Sequence, residues 1–257
     1  MGKFSGMLIC SDFDGTLARK EKIPTSNVEA IKYFRENGGK FTVVSGRTPE
    51  FFEKYSETVG FDGYIGGING TVIYDVEKRE TVEEYFIRNT ERFTDFVLSN
   101  YKAWDNLKDV FVFGKERFAE LSVSDVDFET KFREAMDQLV YKTLLHGKQS
   151  FEENEVDWVR RCLGAELDVC RSWGRGMEVN DVLFNKGVAA KRIAQLSGAN
   201  TLICVGDYEN DISLLKAADI SFAAQNHHPS LDGVAKYIAA PCEVGTVADV
   251  IRRLEKL

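Results

Sequence analysis

The chain has 257 residues, enough for one large domain or two modest ones around a real core. Hydrophobic residues make up 44% and charged residues 29%, ordinary for a globular chain, and no apolar run approaches the length of a membrane span. A net charge of −8 argues against a broad nucleic-acid footprint, yet local cations can still hold a small anion on such a protein. The start of the chain carries no signal-peptide pattern, so a cytoplasmic location is expected. The five cysteines, an odd number with no C-x-x-C pair, read as buried reduced thiols rather than zinc ligands or disulfides.

In chain order, Met7–Ser11 is short and apolar, as a buried parallel strand should be. It runs into Asp12-Phe13-Asp14-Gly15-Thr16. A helix is predicted from about Ser26 to Asn37, with Val28, Ile31 and Phe34 inward and Gly38-Gly39 as its stop. Phe41–Val44 is the next strand and ends at Ser45-Gly46-Arg47, with another helix from about Pro49. Tyr64–Gly67 and Thr71–Tyr74 read as strands around an Asn69-Gly70 turn.

The texture then changes. Strands over 82–87, 110–113, 141–145 and 167–173 are aromatic and charged, and amphipathic helices are predicted over about 92–101, 127–139 and 152–162. Polar alternation in these strands suits a sheet with one wet face. The acidic start of the third helix reads as a solvated helix N-terminus. Trp104, Trp158 and Trp173 read as core of this region, with a sugar-stacking platform as the alternative. The strand–helix alternation then returns: a helix over 186–196 with Val188, Ile193 and Leu196 inward, a strand over 201–205 ending at Gly206-Asp207, a helix over 211–218, a strand over 220–223 and a closing helix over 247–257. His227-His228-Pro229 reads as a loop. The fold class is therefore α/β: a doubly wound, Rossmann-like parallel sheet formed by residues 1–80 and 181–257, with an α+β domain, residues 81–180, inserted into it.

Ligands of such sheets bind at the carboxyl ends of the strands. Asp12/Asp14, Ser45/Arg47 and Asp207/Asp211 sit at three such ends, and Lys186 opens a helix. If the extended chain persists through Asp14, the carboxylates of Asp12 and Asp14 point to one side. Taken singly, Ser45 and Asp211 could be helix caps and Lys186 a solvated surface residue.

Together these segments resemble the haloacid dehalogenase-like superfamily. Asp12-Phe13-Asp14-Gly15-Thr16-Leu17 is similar to its first motif, Ser45 after an apolar strand to its second, Lys186 to its third, and Gly206-Asp207-Tyr208-Glu209-Asn210-Asp211 to its fourth. Ser45-Gly46-Arg47, the Asn69-Gly70 turn, Asn185-Lys186-Gly187 and Asp232-Gly233-Val234-Ala235 resemble the Cof-type sugar-phosphatase branch, and the insertion matches its cap in size and position.

The resemblance implies that Asp12 is a nucleophile forming an aspartyl phosphate, and that Asp14 is the general acid and base. It implies Mg²⁺ held by Asp12, Asp14, Asp207 and Asp211. It places phosphate on Ser45, Gly46, Lys186 and Asn210, and gives Arg47 and the cap residues Arg171, Arg175 and Glu178 as substrate contacts; ordinary cap surface is the alternative for the last three. The activity implied is hydrolysis of small phosphorylated metabolites, sugar phosphates above all. A phosphomutase and a non-catalytic sugar-phosphate sensor are the alternatives.

Overall fold

The structure, a computed structural model, describes residues 2–256. The chain divides into two compact units, one running to Glu84 and resuming at Asn185, the other spanning Tyr85–Phe184. The first unit opens with β1 (Met7–Ser11), α1 (Thr25–Glu36), β2 (Lys40–Val43), a 3-10 turn over Pro49–Tyr55, β3 (Tyr64–Gly67), β4 (Val72–Asp75) and β5 (Glu80–Glu84). The strand expected over 82–87 is thus β5, and it pairs antiparallel with β4. That pairing carries the first unit a few residues beyond the change of sequence texture. The segment after Pro49 is a 3-10 turn, not a longer helix.

The second unit holds α2 (Thr90–Asn100), β6 (Leu107–Gly114), β7 (Phe118–Ser122), α3 (Phe128–Met136), β8 (Val140–Gly147), α4 (Glu153–Leu163), β9 (Leu167–Trp173) and β10 (Gly176–Asp181). Its antiparallel sheet has the order β7-β6-β8-β10-β9. Phe93, Phe96, Phe132, Val156 and Val159 from the helices pack on Val110, Val112, Leu145 and Met177 of one sheet face. Trp104 and Trp158 join this core, edge to face with ring centroids 4.8 Å apart. Trp173 does not: it is 43% exposed at the end of β9. The acidic start of α4 forms a reciprocal cap between Glu152 and Glu155. The ends of the unit are fastened to each other. The Tyr85 and Phe184 rings stack at 4.2 Å, and the Arg88 guanidinium donates to both oxygens of Asp181 at 2.7 and 2.9 Å.

The first unit resumes with α5 (Lys186–Ser197), β11 (Thr201–Gly206), α6 (Ile212–Ala217), β12 (Ile220–Ala224), β13 (Tyr237–Ala239) and α7 (Thr246–Leu254). The expected helix end at Leu257 lies outside the described residues. The main sheet is all parallel in the order β13-β12-β11-β1-β2. Side chains alternate across it. Ile9 and Phe41 meet Ile31, Phe34 and Val250 on the α1/α7 side. Leu8 and Cys10 meet Ala189, Ile193 and Leu214 on the α5/α6 side. Burying a side chain such as Ile31 or Phe34 contributes roughly 2–3 kcal/mol. On α5, Val188 points outward, 44% exposed, contrary to the pattern read from sequence, while Lys186, Ala189, Ala190 and Ile193 are buried. Placing Lys186 inward fixes that face, because residues four and seven positions on share it. All five cysteines are free; four are buried, and Cys162 is exposed. No helix among the described residues is long and apolar enough to cross a membrane.

Candidate active site

Parallel register brings three strand ends to one edge: Ser11 of β1 lies opposite Val43 of β2 and Val205 of β11. The residues that follow meet there. Lys186 Nζ donates to Asp12 Oδ1 at 2.6 Å and to Asp211 Oδ1 at 2.6 Å. Asp211 Oδ2 accepts from the Asp207 amide at 2.9 Å and the Tyr208 amide at 3.2 Å, which folds the loop after β11. Thr16 donates to Asp207 Oδ1 at 2.5 Å, joining the first and last of these strand-end segments. One carboxylate oxygen from each of Asp12, Asp207 and Asp211 lies within 4.8 Å of the others.

Two glycines make this packing possible. Gly15 has φ +93°, and a Cβ on it would stand 2.3 Å from Asp207 Oδ2. A Cβ on Gly187 would stand 2.2 Å from the Ser213 carbonyl oxygen, so glycine lets α5 bring Lys186 close to α6.

The cluster is electrostatically incomplete. Asp12 and Asp211 are 5% and 0% exposed, and Lys186 is 1% exposed. Burial, and then the Asp211 carboxylate, push Asp12 well above its ordinary value despite Lys186. The same causes raise Asp207 to about 7. Burial opposes the charge on Lys186, but Asp12 and Asp211 outweigh it and push that ammonium up. Three carboxylates facing one ammonium leave negative charge that a hard divalent cation with oxygen ligands would balance. The donor set therefore fits such an ion.

Asp14 has a different setting. β1 ends at Ser11 and Phe13 lies in a turn, so the extended conformation does not run through the motif. Phe13 is fully buried, with ring centroids 5.5, 5.3 and 5.0 Å from Phe51, Phe52 and Tyr55. Asp14 is about half exposed and accepts from Arg47 Nε at 2.8 Å and Nη2 at 3.0 Å. Ser45 is buried, and its hydroxyl accepts from the Arg47 amide at 3.3 Å. The Ser45 and Arg47 carbonyls accept from the Asn69 and Ile68 amides at 2.8 Å each. Ile68, Asn69 and Gly70 all have positive φ, so the Asn-Gly turn doubles as a brace for this loop. Gly46 is half-buried beside Ser45, and Asn210 lies half-buried in the 3-10 turn Glu209–Asp211. The His227–His228 segment also reaches this edge, since the His228 amide donates to the Asp207 carbonyl at 2.7 Å.

In the second unit, Arg171 is buried and donates to the Phe151 carbonyl at 2.9 Å and to Glu153 at 2.5 Å. Glu178 is buried and accepts from Lys142 Nζ at 2.6 Å. Arg175 is exposed in the turn between β9 and β10. Sequence reasoning gave no role to Thr16, Glu21, Phe51 or Lys142. Thr16 stood inside the quoted motif; the other three carry no local signal.

The chain matches the haloacid dehalogenase-like hydrolase family over residues 9–251. It is 23% identical to a phosphoglycolate phosphatase of Methanothermobacter thermautotrophicus over 249 residues, covering 95% of this chain and 97% of that one. It is also 23% identical to the phosphatase YwpJ of Bacillus subtilis, covering 96% and 99%. Its fold superposes on a solved subclass IIB sugar phosphatase of the same superfamily with a TM-score of 0.80, at 18% identity, covering 98% of this chain and all of that one, 100%. A phosphatase of Bacteroides thetaiotaomicron gives 0.78 at 18% identity, covering 99% and 97%. In this chain the first unit holds the parallel, Rossmann-like sheet and the inserted second unit an antiparallel one. With its motif residues gathered at one sheet edge and the family match spanning nearly its whole length, the chain belongs to the haloacid dehalogenase-like hydrolases, as a Cof-type phosphoric monoester hydrolase.

Proposed function

We propose that this phosphatase hydrolyses small phosphorylated metabolites, sugar phosphates foremost, through an aspartyl phosphate on Asp12 and with Mg²⁺ as its cation. The observation that carries the reading is the buried Asp12 carboxylate, held by Lys186 at 2.6 Å beside Asp207 and Asp211. A phosphate ester resists attack because its own charge repels nucleophiles, and division into two transfers lowers the barrier. Asp12 attacks phosphorus, the bond to the leaving oxygen breaks, and Asp14 gives that oxygen its proton. Asp14 then takes a proton from water as the water attacks the acyl phosphate, which frees inorganic phosphate and restores Asp12.

Asp12 and Asp207, with the Asp14 carbonyl, would hold the cation; Asp211 assists directly or through water. The bound ion would offset the repulsion between carboxylate and phosphate. Lys186, the Ser45 hydroxyl, the Gly46 amide and Asn210 hold the phosphate oxygens. Among the three cap candidates, Arg175 is the exposed one and the best placed to take a ligand, while Arg171 and Glu178 are braced within the cap.

The test is phosphate release across a panel of phosphorylated metabolites with Mg²⁺. Release from small sugar phosphates supports the reading. Conversion of a sugar phosphate to its isomer without free phosphate would make the chain a mutase instead, and metal-dependent binding without turnover would make it a sensor.

A further inference from the structure

Arg47 stands two residues after Ser45, a place that suggests a contact with substrate. Its surroundings indicate another task. We infer that Arg47 is a positioning residue for Asp14: it holds the acid–base carboxylate in one orientation and is itself held by the Phe51 ring and Glu21. The inference rests on the assignment of Asp14 as acid and base made above.

Asp14 lies half exposed on a loop, where a carboxylate left alone would rotate freely. A guanidinium fork that engages both oxygens fixes its plane as well as its direction. The fork here is two-pointed, with Nε and Nη2 at 2.8 and 3.0 Å. The arginine is fixed in turn. Its guanidinium lies 4.6 Å from the Phe51 ring centroid, and its Nη1 is 3.8 Å from Glu21 Oε1. Lys54 holds Glu21 at 2.6 Å and sits 4.2 Å from the same Phe51 ring. Phe51 also packs edge to face on Phe13, the residue between Asp12 and Asp14. One aromatic cluster thus anchors the motif backbone through Phe13 and the motif's second carboxylate through Arg47.

Nε and Nη2 of Arg47 are given to Asp14, and Nη1 faces Glu21 at 3.8 Å, so a phosphate that sought the two-pointed edge of this fork would have to displace Asp14. Each Asp14 oxygen keeps a second lone pair beside the one engaged by Arg47, so the fork leaves room for the proton that Asp14 must carry.

A general acid matters most when the leaving group is a poor one. The experiment compares kcat/KM for an alkyl phosphate, such as a hexose phosphate, with that for p-nitrophenyl phosphate, whose phenolate leaves without a proton. Arg47→Met is expected to lose roughly 30- to 100-fold on the alkyl ester and under about 5-fold on the aryl ester. Asp14→Asn is expected to show the same leaving-group pattern, and the double variant should add little to it. Arg47→Lys keeps the charge without the fork and should resemble Arg47→Met, which covers the case in which the latter misfolds. Equal losses on both esters, additive with Asp14→Asn, would make Arg47 a phosphate ligand and overturn the inference, as would no loss on either. If Asp14→Asn itself shows no leaving-group dependence, the acid role of Asp14 fails, a result separable from failure of Arg47 alone.

Discussion

Lys186 and Asp12 lie 174 positions apart in the chain, yet the ammonium of one donates to the carboxylate of the other at 2.6 Å with both side chains buried. The same ammonium serves Asp211. Removing it strands two carboxylates away from water. Lys186→Ala is expected to cost roughly 3–5 kcal/mol in the metal-free protein, and more than about 100-fold in turnover. Chemical denaturation and phosphate release measure the two separately; a stable, active variant would remove Lys186 from the centre of the site.

Asp12→Asn should end turnover, with a loss of at least about 1,000-fold, while the fold persists. The substitution deletes a charge that burial and Asp211 already disfavour, so the melting temperature of the metal-free protein should hold or rise. Retained activity would refute the nucleophile assignment.

Chelation is expected to abolish activity, and Mg²⁺ to restore it. Because the ion would relieve the mutual repulsion of Asp12, Asp207 and Asp211, it should also stabilise the fold, by about 2.7 kcal/mol at a hundredfold excess over its dissociation constant. Thermal melts with and without the ion read this independently of turnover. Activity that survives complete metal removal would exclude the cation from the reaction.

Gly15→Ala tests the close approach to Asp207. The left-handed backbone at this position costs an L-residue roughly 1–2 kcal/mol, and the new methyl would occupy the space of the Asp207 carboxylate. Activity is expected to fall by about 100-fold or more, with weakened Mg²⁺ affinity. Calorimetric titration of the ion separates this displacement from a general loss of stability.

The cap should carry its own acid sensitivity. Burial alone would raise the Asp181 carboxyl, but hydrogen bonds from Arg88 and from the Leu183 amide outweigh it and hold the group below its ordinary value. The unfolded carboxyl titrates near 4, at about 3.9. The stabilisation is therefore complete above about pH 4 and is lost as the pH falls through the lower folded value. Arg88→Met removes the main cause of that depression, so it should flatten the acid limb and lower the melting temperature at neutrality. All three tryptophans, Trp104, Trp158 and Trp173, lie in this unit, so their fluorescence follows the cap alone. An unchanged acid limb would show that the pair contributes nothing.

The sequence made the architecture readable because buried parallel strands are plain apolar runs and each is followed by a polar tip. Met7–Ser11 and Thr201–Gly206 are such runs, and their parallel pairing alone places Asp12 near Asp207. Less was readable where tertiary contacts decide. Val188 fits an apolar helical stripe, but the inward turn of Lys186 sends it to solvent. β7 and β10 passed unnoticed because cap strands mix charged and apolar residues, as in Phe118–Ser122. The pairing of Arg47 with Asp14, across 33 positions, left no trace in spacing or periodicity.

The stacked rings of Tyr85 and Phe184 and the Arg88–Asp181 fork bring the first and last turns of the insertion side by side. A host chain interrupted at such a point meets only a short gap, whatever the size of the module that fills it, and the entropy of closing that gap is met inside the module. The cap is in this sense a cassette with matched ends. Grafts from relatives that preserve the two clamps should leave the parallel sheet of the first unit folding as before.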